Sequence, residues 1–266
     1  MMLSLNSSLM VVTDLDGSLL DHHDYNWDAA SEWLARLKQH QIPLVICSSK
    51  TAAEIVPLQK RLGIAGAPFI AENGARVVFG GDQILATEPG AAYRTLCQTL
   101  KTLQAQFRFD GFHQFSDADV ARFTGLTLAE ASQSRLREAS EVVLWRDDEH
   151  RLAAFREALA EHHLALTQGG RFWHVMPVGT GKGIALAQIQ QHLAEQEGQS
   201  RITLGLGDGP NDVPMLERVD YAVVIKGFSK TPVELQRTDS EHVYYSAHVG
   251  PQGWREGLDY FLAPND

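Results

Sequence analysis

The sequence of 266 residues predicts an α/β fold, with a doubly wound parallel sheet and a separate α+β domain inserted into it. Short apolar runs alternate with helical patterns up to about residue 79, and this alternation returns after residue 171. Between the two halves, long helical patterns are separated by polar, turn-rich sequence. Alternating strands and helices with short connections are typical of a doubly wound sheet. We therefore expect a Rossmann-like core formed by residues 1–85 and 179–266, with residues 86–178 as the inserted domain.

Strands are predicted where a short apolar run, rich in β-branched residues, stops abruptly at polar or turn-forming residues. In chain order these runs are 9–13 (LMVVT), 42–47 (IPLVIC), 69–71 (FIA), 172–176 (FWHVM), 202–206 (ITLGL) and 221–225 (YAVVI). Helices are predicted where apolar residues recur every three or four positions. These segments are 26–39, 51–62, 91–106, 150–163, 182–195, 211–219 and 253–262. A glycine-rich turn at 80–82, between 77–79 and 83–86, predicts a hairpin.

The helix after the second strand has the clearest boundary signals. Thr51 and Glu54 are spaced as a capping box, in which each side chain accepts a hydrogen bond from the other residue's backbone N–H. Gly63 is the residue type that most often follows a helix C-terminus. The helix should therefore begin at Thr51 and end just before Gly63.

Composition and charge argue against two classes of main partner. Hydrophobic residues make up 44% of the chain and charged residues 21%, which is ordinary for a protein with a sizeable core. The formal net charge is -10, whereas a nucleic acid or an anionic membrane requires a basic surface. We therefore expect neither partner. A small anionic substrate needs only local positive charge and is compatible with this balance.

The cysteines and the N-terminal segment predict a cytoplasmic protein. Cys47 and Cys97 are too few for a disulfide framework, and their spacing fits no zinc site. The N-terminal segment lacks a basic region, and polar residues interrupt its apolar run. No run approaches the roughly 20 apolar residues that a membrane-spanning helix needs.

Polar side chains cluster where four of the predicted core segments end. The clusters are DLDGS (14–18), SSK (48–50), ENG (72–74) and GDGPND (207–212). Each cluster by itself is explained equally well as a turn or a helix cap. In open α/β sheets, however, functional groups gather at the carboxyl ends of the strands. Four such clusters at one edge of one sheet therefore favour an active site.

The aspartates in these clusters point to a metal. Asp14, Asp16, Asp208 and Asp212 would come together in a small volume, where close carboxylates repel one another. A divalent cation removes this conflict, and hard oxygen ligands suit Mg²⁺. Lys182 begins a helix after a Gly-Thr-Gly turn, where the helix N-terminus adds partial positive charge. Carboxylates, magnesium and a lysine together are suited to phosphoryl transfer through an aspartyl-phosphate.

The order of these motifs resembles a known family. DLDGS, CSSK, GTGK and GDGPND follow one another as do the four motifs of the haloacid dehalogenase superfamily of phosphatases. The insertion of about 90 residues before the lysine motif is similar to the large α/β cap of the Cof-type group. Within that group, DLDGSLL, ICSSKT, ENGA and GLGDGPNDVPML resemble mannosyl-3-phosphoglycerate phosphatases. This resemblance spans essentially the whole chain and implies that the inserted domain is a cap over the active site.

The resemblance implies roles for the clustered carboxylates. Asp14 would be the nucleophile, and Asp16 would act first as the general acid and then as the general base. The carboxylates of Asp14 and Asp208, with the backbone carbonyl of Asp16, would hold Mg²⁺. Asp212, with Asn211 beside it, would orient metal-bound water without binding the metal itself.

The remaining motif residues are assigned to the phosphate and the substrate. Ser48 stands where the family usually has threonine, and it would donate a hydrogen bond to a phosphate oxygen. Lys182 would pair with the phosphate and with Asp14. Further candidates for binding phosphate or substrate are Ser49, Lys50, Asn73 and Arg171.

The histidines are weaker candidates. His174 lies on a predicted strand, so packing explains it as well as a substrate contact does. The adjacent pairs at 22–23 and 162–163 are expected to be solvated.

Three other kinds of site fit the sequence less well. A P-loop needs glycine where Met176 stands, and serine or threonine where Gly183 stands. A dinucleotide fingerprint needs glycine where Pro210 stands. The DxD motif of metal-dependent sugar transferases would leave Ser48 and Lys182 without a role.

Three functional hypotheses follow. The first is a Mg²⁺-dependent phosphatase of a small phosphorylated metabolite, with 2-O-mannosyl-3-phosphoglycerate as the substrate and mannosylglycerate as a product. The second is the same chemistry on another sugar phosphate, such as sucrose phosphate. The third is a regulatory protein without catalysis on the same fold, against which the intact Asp14, Asp16, Lys182 and Asp208 argue.

Overall fold

The structure is a computed structural model, and it describes residues 3–6, 8–81, 90–169, 172–228 and 232–262. Its strands are β1 (Leu9–Thr13), β2 (Leu44–Cys47), β3 (Phe69–Ala71), β4 (Arg76–Val78), β5 (Phe109–Gly111), β6 (Glu141–Trp145), β7 (Leu164–Gln168), β8 (Trp173–Pro177), β9 (Ile202–Gly207), β10 (Tyr221–Lys226) and β11 (Val243–Val249). Its α-helices are α1 (Ser31–Gln39), α2 (Ala52–Leu62), α3 (Ala91–Leu103), α4 (Asp117–Thr124), α5 (Leu128–Ser134), α6 (Leu152–Glu161), α7 (Lys182–Glu197), α8 (Val213–Leu216) and α9 (Gly250–Phe261).

The core is one sheet built from two separate parts of the chain. Among the described residues it has seven strands in the order β11-β10-β9-β1-β2-β3-β4. Neighbouring strands are parallel except β3 and β4, which are antiparallel. β1 pairs with β2 on one side and with β9 on the other, so the two halves meet at the centre of the sheet. The prediction of a core that is split in sequence but continuous in space is confirmed.

Alternation along β1 explains why its apolar run is uninterrupted. Leu9 and Val11 pack on one face with residues of α1, α2 and α9, such as Trp33 and Trp254. Met10 and Val12 pack on the opposite face with residues of α7 and α8. Because helices cover both faces, every position of a central parallel strand is buried.

A second, antiparallel sheet lies in the inserted region. Its order is β5-β6-β8-β7. One face packs on α3 and α6 through a cluster that includes Leu100, Val143 and Phe155. The other face packs on α4 and α5 through Phe112, Val120, Ala131 and Val142. The mixed α/β fold class with a separate antiparallel sheet agrees with the predicted core and cap.

Local signals located most core elements, and the inserted region was predicted less completely. The capping box at Thr51 is present, and α2 ends at Leu62 with Gly63 in the left-handed conformation. The helix predicted over 253–262 begins three residues earlier, at Gly250. β5, β6, β7, α4, α5 and β11 were not predicted, because these elements are short or carry alternating exposed polar positions.

The predicted hairpin and domain limits are only partly covered by the structure. β4, which overlaps the first half of the hairpin, pairs antiparallel with β3. The second half, 83–86, and the predicted boundary at residue 85 lie outside the described residues. Both cysteines are free. No helix among the described segments has the length and apolar character needed to cross a membrane.

Candidate active site

The carboxyl ends of the central strands bring three aspartates together. Asp14 follows β1 and Asp208 follows β9, its immediate neighbour, while Asp212 lies in the short turn before α8. The backbone N–H of Asp14 donates to the Leu206 carbonyl at 2.9 Å, which extends the pairing of the two strands to the start of the site. One carboxylate oxygen from each aspartate lies within 4.8 Å of the others.

Lys182 is the cation inside this cluster. It is the first residue of α7, and its side chain is completely buried. Its Nζ donates hydrogen bonds of 2.6 Å to Oδ1 of Asp14 and of 2.6 Å to Oδ1 of Asp212. Burial disfavours the charged ammonium, but the two carboxylates outweigh burial and raise the pKa of Lys182. The lysine therefore remains protonated and joins the two halves of the core.

Asp212 has little capacity left to bind a metal. Its Oδ1 accepts from Lys182, and its Oδ2 accepts from the backbone N–H groups of Asp208 at 3.0 Å and Gly209 at 2.9 Å. The carboxylate is fully buried. These contacts orient Asp212 and fix the loop that carries Asp208.

Asp14 and Asp208 carry the unbalanced negative charge. Burial, followed by the charge of Asp212, raises the pKa of Asp14 from 3.8 to about 7. Burial and the charge of Asp14 also raise the pKa of Asp208, to whose Oδ1 the Ser18 hydroxyl donates at 3.3 Å. Carboxylate oxygens that repel one another in a buried site fit a hard divalent cation, because such a cation removes the repulsion. The donor set therefore suits Mg²⁺.

Two glycines permit the close approach of these loops. Gly17 has φ +83°, and a Cβ there would lie 2.6 Å from Oδ2 of Asp208. Gly74 has φ +97°, and a Cβ there would lie 2.3 Å from the carbonyl carbon of Gly181, immediately before Lys182. Both positions combine a left-handed backbone with a contact that no larger residue could make.

Asp16 and Lys50 form a second ion pair at the site. Lys50 Nζ lies 3.1 Å from Oδ1 of Asp16 and 3.6 Å from Oε1 of Glu54. Burial opposes the charge of Lys50, but these two carboxylates raise its pKa. Asp16 retains 35% of its side-chain exposure, whereas Lys50 retains 12%, so the carboxylate remains accessible from the cavity.

The serine and asparagine candidates line the same end of the sheet. The buried Ser48 follows β2, and its Oγ accepts a 3.2 Å hydrogen bond from the backbone N–H of Lys50. The backbone N–H of Asn73 donates to the Ser48 carbonyl at 2.9 Å. Asn73 has φ +57°, its Oδ1 accepts from Asn211 at 3.1 Å, and its buried Nδ2 has no partner among the described residues.

A cavity of about 280 Å³ lies at this site, and its walls come from both the core and the cap. On the core side it is lined by Asp14, Asp16, Ser49, Lys50, Glu54, Asp208 and Asn211. On the cap side it is lined by Phe112, Thr124, Leu126, Ser134, Arg137, Val142, Phe172 and His174. His22, which the sequence predicts to be solvated, also lines the cavity, and its ring lies 4.8 Å from that of Phe228.

Sequence reasoning missed one residue of the site and one of its supports. Arg137 was not singled out, and Glu72 was considered only as part of a turn. The Glu72 carboxylate accepts from the backbone N–H groups of Glu138 at 2.7 Å, Ala139 at 3.1 Å and Ser140 at 2.7 Å. The only available signal was the arginine-rich composition of the inserted region.

Of the two cap candidates His174 and Arg171, the structure describes only the first. His174 is buried on β8 and reaches the cavity, which sequence reasoning had left open against a packing role. Arg171, the preferred cap candidate, lies outside the described residues.

Solved structures with this fold cover almost the entire chain. A Thermoplasma acidophilum protein, 0175, has a TM-score of 0.69 at 18% identity, covering 96% of this chain and 98% of its own. BT1666 from Bacteroides thetaiotaomicron, described among phosphatases of the haloalkanoate superfamily, has a TM-score of 0.63 at 16% identity, with 96% of both chains covered. The sucrose-phosphatase of Synechocystis sp. PCC6803 has a TM-score of 0.61 at 16% identity, covering 96% of this chain and 98% of its own.

These identities are low, so the three likenesses establish the fold alone. A family model is more specific, because it matches the sequence itself. The model for haloacid dehalogenase-like hydrolases matches residues 11–234, which include DLDGS, CSSK, GTGK and GDGPND. The chain belongs to the haloacid dehalogenase-like hydrolases.

Proposed function

We propose that this protein is a phosphatase that hydrolyses a phosphomonoester of a small metabolite through an aspartyl-phosphate on Asp14. The observation that carries the proposal is the buried ammonium of Lys182, which bonds Asp14 and Asp212 at 2.6 Å each beside Asp208. A carboxylate can approach an anionic phosphate only when positive charge offsets the repulsion between them. Lys182 supplies that charge from within the protein.

In the first step, one carboxylate oxygen of Asp14 attacks phosphorus, and the bond from phosphorus to the leaving oxygen breaks. Asp16, which is accessible from the cavity, donates its proton to that oxygen, so the product leaves as an alcohol. In the second step, Asp16 takes a proton from water as the water oxygen attacks phosphorus. The bond to Asp14 then breaks, which releases inorganic phosphate, restores the Asp14 carboxylate and leaves Asp16 protonated as at the start.

Mg²⁺ is the cofactor that this donor set favours. The carboxylates of Asp14 and Asp208 and the backbone carbonyl of Asp16 would hold it, while Asp212 stays bonded to Lys182 and two backbone amides. When bound, the ion would neutralise charge on the phosphoryl group and on the attacking carboxylate. Ser48 would donate a hydrogen bond to a phosphate oxygen.

Among substrates, we favour 2-O-mannosyl-3-phosphoglycerate. The resemblance of ICSSKT and GLGDGPNDVPML to the corresponding phosphatases supports it. The cavity adds support because it combines the aromatic rings of Phe112 and Phe172, against which a sugar can pack, with basic groups for an acid. Sucrose phosphate is the second candidate, because the Synechocystis sucrose-phosphatase shares the fold.

The test is phosphate release from a panel that includes 2-O-mannosyl-3-phosphoglycerate, sucrose 6-phosphate and simple sugar phosphates, with and without Mg²⁺. We expect Mg²⁺-dependent turnover, with the highest kcat/KM for the mannosyl compound. Asp14→Asn should abolish turnover, whereas Asp148→Asn, which alters an exposed carboxylate of the cap, should not. Activity retained by Asp14→Asn would refute the nucleophile. A better kcat/KM on another member of the panel would refute only the substrate.

A further inference from the structure

Two nitrogen-containing side chains of the cap, an arginine and a histidine, face the cavity across from the catalytic carboxylates. Arg137 follows α5 and is 2% exposed, and His174 lies on β8 and is 6% exposed. Both line the same cavity as Asp14 and Asp208. Phosphoryl transfer as proposed above requires neither of them, so their presence in the cavity wall needs a separate explanation.

Neutral oxygens hold the Arg137 guanidinium in place. Nε donates to the Ser140 carbonyl at 2.8 Å, and Nη2 donates to the Ser140 hydroxyl at 2.8 Å and the Ser49 carbonyl at 3.3 Å. Nη1 donates to the Ser134 carbonyl at 3.5 Å. These bonds occupy four of the five N–H groups that an arginine carries. The guanidinium is therefore rigid and charged, and one N–H is left for a ligand.

Glu72 is close to Arg137 but is occupied by other donors. Its Oε2 lies 3.8 Å from Nε of Arg137, which is an ion-pair contact but is beyond hydrogen-bond distance. The Glu72 carboxylate instead accepts from the backbone N–H groups of residues 138–140 and from the Ser140 hydroxyl at 2.8 Å. Glu72 belongs to the core, so it fixes the cap loop that carries Arg137 relative to the catalytic strands.

His174 has an unsatisfied polar atom. Its Nδ1 is buried and has no hydrogen-bond partner within the described segments of the chain. Burial and the nearby positive charges of Arg137 and Lys182 lower the pKa of His174 to about 3, so the ring is neutral. A neutral imidazole carries one N–H donor and one acceptor nitrogen, and a buried nitrogen of either kind costs free energy until a ligand supplies its partner. With the proton on Nδ1, that partner is an acceptor on the ligand.

The opposite wall determines where a second acidic group could bind. Asp14, Asp16, Glu54 and Asp208 line the core side, and Lys50 there is already paired with Asp16 and Glu54. A carboxylate on the substrate would be repelled by that wall once the phosphate is bound to it. The cap side is the favourable one, because it offers the unused N–H of Arg137 to a carboxylate.

We propose that Arg137 and His174 form a subsite for a carboxylate on the leaving group of the substrate, with Glu72 as the residue that positions Arg137. This inference rests on the proposed phosphatase function and deepens it, because it defines the substrate class as phosphorylated acids. An arginine N–H and an imidazole N–H would each donate to one carboxylate, as charge-assisted hydrogen bonds.

The test uses two substrates that differ at one group. 3-Phosphoglycerate carries a carboxylate where glycerol 3-phosphate carries a hydroxymethyl group, and both can be assayed by phosphate release. We expect the unaltered protein to prefer 3-phosphoglycerate by about tenfold or more in kcat/KM, since a hydrogen bond to a charged group contributes about that factor. Equal rates, or a preference for glycerol 3-phosphate, would overturn the subsite.

Substitutions then show which residues produce the preference for 3-phosphoglycerate. Arg137→Met and His174→Phe should each reduce the preference to about threefold or less, mainly through a higher KM for 3-phosphoglycerate, while kcat/KM for glycerol 3-phosphate falls by a smaller factor. Arg146→Met is the matched control, because Arg146 is a half-exposed cap arginine paired with Asp110 and does not line the cavity. Equal losses on both substrates in either variant would contradict a carboxylate contact.

The two proposals fail in different ways. If neither substrate nor p-nitrophenyl phosphate releases phosphate with Mg²⁺, the proposed function fails. If phosphate is released without a preference for the acid, only the subsite fails. If Arg137→Met does not fold, the comparison in the unaltered protein and in His174→Phe still decides.

Discussion

Replacing Asp14 by asparagine should stabilise the metal-free protein while it abolishes catalysis. In the absence of a cation, Asp14 is a buried carboxylate beside Asp212 and Asp208, and the ammonium of Lys182 offsets only part of the repulsion. Asparagine has nearly the same shape, can still accept a hydrogen bond from Lys182 through its amide oxygen, and carries no charge. The substitution therefore removes the unfavourable interaction and leaves the packing unchanged.

The magnitude follows from the pKa of Asp14. Folding raises this pKa from 3.8 to about 7, and one pKa unit corresponds to about 1.4 kcal/mol. Above about pH 7 the folded protein therefore carries an ionisation cost of about 4 kcal/mol. Below about pH 4 the carboxyl is protonated in both states and the cost vanishes. Because the folded state binds more protons in this interval, the contribution of Asp14 to stability falls as the pH rises.

The assay is urea denaturation in EDTA at about pH 8 and again at about pH 4. Asp14→Asn should raise the free energy of unfolding by a few kcal/mol at the higher pH and by little at the lower. Mg²⁺ should stabilise the unaltered protein more than the variant, because binding to the folded state adds to its stability. Asp148→Asn, at an exposed position, is the control and should show neither effect. If Asp14→Asn were no more stable than the unaltered protein at about pH 8 in EDTA, the reasoning would be refuted.

Two other variants test separate parts of the site. Asp16→Asn should reduce kcat/KM by about 100-fold or more for an alkyl phosphate. The loss should be much smaller for p-nitrophenyl phosphate, because its leaving group needs no proton. Equal losses on the two substrates would show that Asp16 is not the general acid. Glu72→Gln should lower the free energy of unfolding by about 1–3 kcal/mol, because a neutral amide replaces the carboxylate that accepts from residues 138–140. It should also weaken the preference for 3-phosphoglycerate. Glu157→Gln, at an exposed position of α6, is its control.

Much of the core could be predicted because its signals are local. β1, β3 and α2 were placed within a residue of their limits, since burial on two faces and a capping box depend on a few consecutive residues. Three strands of the cap, β5, β6 and β7, were missed because they are short and include partly exposed positions. β7 alternates buried and partly exposed positions over five residues, which gives a weak pattern.

The residues of the candidate site were likewise predicted only where they belong to a local motif. Asp14, Asp16 and Asp208 follow from motifs at strand ends, because strands of one parallel sheet end at the same edge. Lys182 follows from the glycine-rich turn that precedes α7. Arg137 follows from no motif, since its position at the cavity depends on a loop held by a glutamate 66–68 residues away in sequence. The contact of Lys50 with Asp16 likewise joins two different strand ends.

The sequence by itself determined the α/β class, the interruption of the core and the four motifs that carry the chemistry. These properties rest on periodicity, caps and turns, which act between residues close together in the chain. Only the tertiary structure decided that Lys182 bonds both Asp14 and Asp212, that Glu72 anchors the cap loop, and that Arg137 and His174 share the cavity with the aspartates. Those contacts join residues distant in sequence, and their free energies depend on burial and on charges that come together only when the chain has folded.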